Sequence, residues 1–269
     1  MESVASIALE KSRHRSPPSI HPSVELEAKV AKTIQSFNTW AFKREQPSDP
    51  ALLKRFVAQA IKLREPLSFV LYWGKGPRIE LANPDTECLD YLASFASRIN
   101  GEYDKGAIIK LVLTDTHAAL NGHAPQETAR YHGQVATEAH GRGFETYLLS
   151  ELTSATKDLV QADNCPSPSQ ATLQQLAASA ARWYRGDGTP EQGARQYYMM
   201  NMVERQVMAL SFPSSIFVTF NGRDQRELFP ENLPIFYMYS LRRGTSVKPW
   251  FLPDPSAAPD TEPKEKPQS

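Results

Sequence analysis

A largely apolar run that stops abruptly at polar residues places the strongest constraint on the fold of this chain. Residues 107–113 (AIIKLVL) are followed directly by TDTH at 114–117 and then by NGH at 121–123. Apolar runs of this length are typical of parallel strands whose two faces are both covered by helices. In α/β folds, the carboxyl ends of such strands form the edge where ligands bind. The segment therefore predicts a buried strand that delivers polar side chains to a ligand-binding edge.

Strand-like and helix-like segments alternate along the first half of the chain. The other strand-like runs are LSFVLYW at 67–73 and FETYLLS at 144–150. Apolar spacing and helix-start signals predict helices over 24–46, 50–64, 83–100 and 125–140. This alternation favours right-handed crossovers between parallel strands. We therefore expect an α/β fold with a Rossmann-like, mostly parallel sheet and flanking helices.

The second half of the chain is predicted to be mostly helical before it returns to strands. Helices are expected over 150–163, 168–185 and 190–211, which together form a helical insertion at about 151–211. Strands are expected over 214–220 and 235–241, the latter as a strand or as a hairpin arm. The predicted organisation is a disordered tail at 1–23, a single α/β catalytic domain at 24–252 and a disordered, proline-rich tail at 253–269.

Composition and charge exclude several classes of function. The 30 basic and 30 acidic residues cancel, so the net charge favours neither nucleic acid nor a membrane surface. No apolar run reaches the roughly 18 residues of a transmembrane helix. Cys88 and Cys165 lack the spacing of a zinc site or a disulfide framework, which favours a reducing, cytoplasmic location. We expect small-molecule partners and no nucleic acid or membrane, and a homodimer remains an open alternative.

Asp115 and His117 are the leading candidates for catalysis. On an extended segment, residues i and i+2 point the same way, so both side chains are predicted to face one cleft. The pair suits a general base with its orienting carboxylate, or two metal ligands. The structural alternative is an aspartate that caps the loop above a packed histidine. A zinc site would combine His117 with His123 and His132, but that spacing matches no standard ligand pattern, and we expect no metal.

Basic and amide side chains near the other strand ends complete the candidate site. Lys75 and Arg78 lie in the loop after the first strand, where two glycines let the backbone approach a phosphate or carboxylate. Glu204 and Arg205 lie in a helix that is otherwise predicted to be buried, so their charges must be paired or must face a cavity. Lys75 is the third catalytic candidate beside Asp115 and His117, and the substrate-binding candidates are Arg78, Asn121, His123, Arg130, His132, Arg205, Asn221 and Arg242.

Three segments occur in an order that is found in a known family. They are PLSFVLYWGKGPR (66–78), NPDTECLDYLASFASRI (83–99) and YDKGAIIKLVLTDTHAALNG (103–122). The matching positions are Pro84-Asp85, Glu87, Leu89, Leu92, Tyr103, Gly106-Ala107, Asp115 and His117. The later segment FPENLPIFYMYSLRRGTSVKPWF (229–251) matches more loosely. In these features the chain resembles the isocyanide synthase family, the pyoverdine and dityrosine biosynthesis proteins.

This resemblance implies a Rossmann-like enzyme of secondary metabolism. Its reaction would join an amino-acid amine to the keto carbon of ribulose 5-phosphate and fragment the adduct to leave an isonitrile. The resemblance implies no metal or redox cofactor, and ribulose 5-phosphate would be a co-substrate. The chemistry suits Lys75 and Arg78 to the phosphate, and Asp115 with His117 to the proton transfers. Asn121 or His123 would suit the sugar hydroxyls. Arg205 or Arg242 would suit the carboxylate of the amino acid.

Two other functions remain open. The Asp115-Thr116-His117 turn is also a variant of the metal-binding turn of nucleotide-sugar transferases, which predicts a bound divalent cation and sensitivity to EDTA. A non-catalytic protein that binds a small molecule or a partner on the same scaffold is the third alternative, because fold alone does not fix function.

Overall fold

The predicted strands lie side by side in one parallel sheet. The computed structural model describes residues 22–74, 80–160, 165–184 and 186–239. The strands are, in chain order, β1 Leu67–Trp73, β2 Ala107–Leu113, β3 Glu145–Leu148, β4 Ile216–Thr219 and β5 Ile235–Tyr237. Their order across the sheet is β3-β2-β1-β4-β5, and every neighbouring pair is parallel. The prediction of an α/β fold with a Rossmann-like sheet is confirmed.

Most of the helices agree with the predicted ones, although the short helix at Asp115–Leu120 was not predicted and the helix expected over 150–163 ends at Thr156. Within the described residues they are α1 Pro22–Phe37, α2 Pro50–Leu63, α3 Asn83–Asn100, α4 Asp115–Leu120, α5 Pro125–Gly141, α6 Leu149–Thr156, α7 Gln170–Trp183 and α8 Pro190–Ser211, with a 3₁₀ helix at Arg223–Leu228. The predicted N-terminal signal before Pro50 is confirmed, because the Asp49 side chain accepts a hydrogen bond from the Leu52 amide at 2.8 Å.

Three element predictions were wrong in part. The first helix ends at Phe37 rather than near residue 46, because the chain then turns so that Lys43 pairs with Met238 beside β5. The strand expected over 144–150 ends at Leu148, where α6 begins. β5 runs parallel to β4 and so is not a hairpin arm. The predicted tails at 1–23 and 253–269 lie outside the described residues, except that α1 begins at Pro22.

Two hydrophobic clusters cover the two faces of the sheet. Phe69, Leu71 and Trp73 of β1 contribute to one cluster, which is completed by residues of α1, α2, α3 and α5. Val70 and Phe217 contribute to the other cluster, which contains Leu149 of α6, Leu176 of α7 and Met202 of α8. Side chains alternate between the faces of a strand, so each run of strand residues feeds both clusters. The predicted helical insertion is thus the layer that covers the second face.

The strand order creates a crevice at the centre of the sheet. β2 and β3 lie on one side of β1, whereas β4 and β5 lie on the other side. The connections from β1 to β2 and from β2 to β3 pack α3 and α5 on one face of the sheet. The connection from β3 to β4 packs α6, α7 and α8 on the other face, so the winding of the chain reverses between β1 and β4. In open parallel sheets, ligands bind at the carboxyl ends of the strands at such a switch point. A ligand-binding site is therefore expected beyond Trp73 and Thr219, the last residues of β1 and β4.

A glycine turn fixes the start of the two central strands. Gly106 has a φ of +67°, and a Cβ atom there would lie 2.5 Å from Asn100 Oδ1. The same oxygen accepts a hydrogen bond from the Ala107 amide at 3.0 Å. The Gly106 carbonyl accepts one from the Leu67 amide at 2.9 Å. This turn holds β1 and β2 in register where both begin.

Replacing Gly106 should therefore destabilise the protein. A left-handed conformation is costly for a residue with a side chain, and the new methyl group would displace Asn100, so Gly106→Ala should lower the free energy of unfolding by about 1–3 kcal/mol. The matched control is Gly133→Ala in α5, where a Cβ meets nothing within 4 Å, and a gain of roughly 0.5–1 kcal/mol is expected. Urea unfolding measures both. Equal effects of the two substitutions would contradict this account of the turn.

Candidate functional site

A cleft opens at the switch point, as the strand order predicts. It lies beyond the ends of β1 and β4 and is bounded by α4 and α8. Its lining contains Tyr72, Gly74, Thr114, His117, Tyr197, Asn201, Thr219, Phe220, Asn221 and Phe229, with buried apolar residues of β1 and β4 beneath. The cleft has a volume of about 40 Å³, enough for a small chemical group. Only the reacting end of a substrate fits there.

A buried pair of ionisable side chains joins α4 to α8 in this cleft. His117 Nε2 lies 2.7 Å from Glu204 Oε2, and the two side chains are only 10% and 5% exposed. Thr116 Oγ1 donates a further hydrogen bond to Glu204 Oε1 at 3.3 Å. Each group satisfies the other, because an isolated buried carboxylate or imidazole would be costly. The predicted need of Glu204 for a partner is thus met by His117.

The end of β2 places His117 in this position. The Thr114 amide and hydroxyl both donate to the Trp73 carbonyl, at 3.1 and 3.0 Å, and so hold the ends of β2 and β1 together. The chain then enters the six-residue helix α4. His117 is the third residue of this helix, and its side chain reaches Glu204 of α8. His117 is buried, and its ring meets the Tyr197 ring edge-on with centroids 5.1 Å apart.

Asp115 does not share this cleft, contrary to the expectation from an extended segment. Residues 115–120 are helical, and in a helix residues i and i+2 point in different directions. Asp115 Oδ1 instead accepts a hydrogen bond from the Ser150 amide at 3.1 Å, in the first turn of α6. The carboxylate accepts a hydrogen bond that no carbonyl within the helix could accept, and its negative charge is stabilised by the positive N-terminal end of the α6 dipole. The carboxylate partner of His117 is Glu204 rather than Asp115.

One face of α8 supplies the polar wall of the cleft. Tyr197, Asn201 and Glu204 lie at i, i+4 and i+7, which brings them onto the same side of the helix. Asn201 is buried, and its side-chain amide donates to the Tyr197 carbonyl at 2.7 Å. Burial, reinforced by the Glu204 carboxylate, raises the pKa of Tyr197 to about 12. The spacing of these three polar side chains along α8 is the sequence signal that could have located the wall.

β1 supplies Tyr72, which the sequence indicated only as a core aromatic residue. Its ring packs against Phe217 with centroids 5.5 Å apart and lies 6.5 Å from the His117 ring. Burial, followed by the nearby Glu204 carboxylate and Tyr197, raises the pKa of Tyr72 well above its usual value. Both tyrosines therefore remain protonated at physiological pH.

The other predicted residues are distributed unevenly around the cleft. Asn221 lines it. Asn121 forms the C-terminal cap of α4 and is half-buried, and the amide of the half-buried His123 donates to the Ala118 carbonyl. Neither Asn121 nor His123 is among the lining residues. Lys75, Arg78 and Arg242 lie outside the described residues.

Three predicted substrate-binding residues are engaged away from the cleft. Arg130 is exposed on α5 and pairs with Glu80 at 3.3 Å. His132 is buried in α5 beside the Tyr131 ring, at 5.5 Å between centroids, rather than on a solvated helix face. Arg205 pairs with Glu231 at 2.9 Å and donates to the Glu227 carbonyl at 3.0 Å. The structure therefore places these three side chains away from the cleft, and their role in substrate binding stays a prediction.

The described residues offer no cluster suited to a metal ion. No group of three or more histidine, cysteine, aspartate or glutamate side chains converges in that part of the chain. His117 and His132, two members of the conceivable three-histidine site, lie in separate environments. Also within the described residues, no helix is long and apolar enough to cross a membrane.

Comparison with known proteins shows a shared fold and no sequence family. No family model and no curated protein sequence matches the chain. The structure resembles the crystal structure of the PvcA protein from Pseudomonas aeruginosa, with a TM-score of 0.61, 15% identity, and coverage of 83% of this chain and 87% of that chain. Tyrosyl-tRNA synthetase from Archaeoglobus fulgidus, complexed with L-tyrosine, reaches a TM-score of 0.46 at 15% identity over 81% of this chain and 65% of that chain. The likeness to PvcA establishes a common α/β fold.

The raised pKa of Tyr197 predicts a pH-dependent loss of stability. The phenol ionises near pH 10 in the unfolded chain and near pH 12 in the folded chain, so in that range the unfolded state releases a proton that the folded state keeps. The stability associated with the protonated phenol is therefore complete below about pH 10 and falls as the pH rises toward about 12. Tyr197→Phe should make this decline shallower, as measured by urea unfolding at stepped pH. A decline as steep as that of the wild type would contradict the assignment.

Proposed function

We propose that the chain is an enzyme whose active site is the switch-point cleft, with His117 as its acid–base group. The hydrogen bond between His117 and Glu204 carries this proposal, because it places an oriented imidazole at the position where parallel sheets bind ligands. A histidine held by a buried carboxylate is the usual arrangement for moving a proton during catalysis. Glu204 is the positioning residue of the pair.

We propose a role for each atom of the pair. With Glu204 ionised, His117 donates its Nε2 proton to the carboxylate, which leaves Nδ1 as the ring nitrogen that accepts a proton from a substrate. The carboxylate then stabilises the imidazolium that forms. Proton return from Nδ1 completes the cycle and restores the neutral ring. Thr116 holds the second carboxylate oxygen, so the carboxylate stays in place throughout.

Within this class, we propose a reaction of the isocyanide synthase type. The amine nitrogen of an amino acid would bond to the keto carbon of ribulose 5-phosphate. The nitrogen loses protons, and the ketone oxygen gains them and leaves as water. Both carbon–carbon bonds at the imine carbon then break, one leaving its electron pair on that carbon and the other departing with its pair, so that an isonitrile remains, the rest of the sugar phosphate leaves as two fragments, and no net oxidation or reduction occurs. His117 would move these protons. Support comes from the motif residues, which fall on β1, α3 and β2 as the family order implies, and from the fold shared with PvcA.

The phosphate and carboxylate contacts of this reaction would come from residues beyond the described cleft. Gly74 lines the cleft, and Lys75 and Arg78 follow it directly in the sequence. We propose these two cations for the phosphate, since a guanidinium and an ammonium both suit that group. Arg242 is proposed for the amino-acid carboxylate rather than Arg205, because Arg205 is already held by Glu231. No metal or redox cofactor is required by this scheme.

The two alternatives receive less support. A metal-binding turn would need Asp115 and His117 to face one ion, yet Ser150 and Glu204 engage them separately. The non-catalytic alternative predicts that ligands bind without turnover and that binding survives the loss of His117.

Activity of substituted proteins tests the proposal directly. The purified protein is incubated with ribulose 5-phosphate and a pool of amino acids, and mass spectrometry follows which amino acid is converted. His117→Ala should reduce turnover by about 10²–10⁴-fold, since it removes the proton carrier. Glu204→Gln keeps the shape of the side chain but removes the charge that stabilises the imidazolium, and should also reduce turnover. Both should act mainly on kcat.

Matched controls separate the site from general effects of substitution. His140→Ala removes an exposed histidine of α5, and Glu191→Gln alters an exposed carboxylate at the start of α8. Both variants should retain wild-type turnover. Asp115→Asn should lose stability rather than kcat, because Asp115 supports α6. Full activity of His117→Ala would overturn the proposal, and a dependence on manganese abolished by EDTA would favour the transferase alternative.

A further inference from the structure

We infer that Tyr72 is a catalytic residue whose hydroxyl donates a hydrogen bond to an uncharged oxygen atom of the substrate, beside His117. The inference rests on the proposed function and names a group that the motif resemblance does not include. It is motivated by a buried polar atom for which the described residues provide no hydrogen-bond partner.

The Tyr72 hydroxyl is the unusual group of the cleft. Its oxygen is buried and finds no hydrogen-bond partner in the part of the chain that the structure describes, although the residue lines the cleft. A buried hydroxyl without a partner costs free energy, because it has lost its contacts with water and gained nothing. Buried polar groups are almost always satisfied, so such an atom at a ligand-binding edge indicates a partner that arrives with the substrate.

The surroundings of Tyr72 fix it as a donor rather than a base. Burial, with Glu204 and Tyr197 nearby, raises the pKa of this phenol well above its usual value, so it keeps its proton at any working pH. His117, paired with Glu204, is the group that exchanges protons. Two neighbouring groups with separated tasks, one donating a hydrogen bond and one transferring protons, are typical of catalytic sites.

The charge of the cleft selects an uncharged oxygen. The Glu204 carboxylate lies close to the cleft, and none of the described lining residues is a lysine or arginine. A phosphate or carboxylate at the innermost position would therefore be repelled. The cleft, with a volume of about 40 Å³, admits only a small part of a substrate. In the proposed reaction, the ketone oxygen of the sugar phosphate meets both conditions, with the phosphate lying outward.

The chemical step gives this hydrogen bond its use. As the amine nitrogen bonds to the keto carbon, the electron pair of the C=O double bond moves to oxygen. The Tyr72 hydrogen bond stabilises the negative charge that develops there, in the manner of an oxyanion hole. The oxygen then takes protons that pass through His117 from the amine nitrogen, and it leaves as water. No oxidant or reductant is needed for this step.

The test compares two tyrosines that differ in whether their hydroxyls are satisfied. Tyr72→Phe removes an unsatisfied hydroxyl and should raise Tm by about 2–4 °C, while reducing kcat about 10²-fold with ribulose 5-phosphate. Tyr131→Phe is the matched control, because the Tyr131 hydroxyl donates to Asp85 at 3.1 Å and accepts from Trp73 at 3.0 Å. That variant should lower Tm and leave kcat nearly unchanged.

The two readouts distinguish failure of this inference from failure of the proposed function. A lower Tm for Tyr72→Phe would show that the hydroxyl has a structural partner, and would overturn the inference whatever the activity. A raised Tm with unchanged kcat would also overturn it. If the wild type itself is inactive with ribulose 5-phosphate and every amino acid, the proposed reaction fails. A raised Tm would then still support a hydroxyl kept for a ligand.

Discussion

The hydrogen bond between His117 and Glu204 connects the two halves of this protein. Neither group is stable alone in a buried position, since a lone carboxylate or imidazole there would be neutralised or would disrupt the packing. α8 must therefore lie where Glu204 meets the helix that follows β2. This contact positions α8 at the carboxyl ends of the strands, where Tyr197 and Asn201 of α8 form one side of the cleft. The central feature of the fold and the central feature of the site are the same contact.

The sequence predicted the sheet well and its local exceptions poorly. β1 and β2 were predicted to the residue, because each is a short apolar run bounded by proline, glycine or polar residues. α4 was missed because six residues directly after a strand carry too little periodicity to identify a helix. That omission produced the wrong orientation for Asp115. β5 was ambiguous because a three-residue strand shows neither its direction nor its neighbour.

The site was predictable in part and for an identifiable reason. His117 could be found because it follows a buried strand, and Glu204 could be recognised as a buried charge that needs a partner. Their pairing could not be found, since 87 residues separate them and no local pattern encodes which buried groups meet. Tyr72 lies within an apolar strand and has the signature of a core residue. Only the three-dimensional structure shows that no residue in the described part of the chain makes a hydrogen bond with its hydroxyl.

The distance along the chain between His117 and Glu204 also has a consequence for folding. The cleft brings together residues that lie far apart in the sequence, on β1, α4, α8 and β4, so it exists only in the folded protein. A ligand in the cleft therefore binds the native state alone and should shift the global unfolding equilibrium. Slowed hydrogen exchange on ligand binding should extend across β1, β2 and α8 together. The affinity for a ligand and the stability of the whole fold are thus thermodynamically linked.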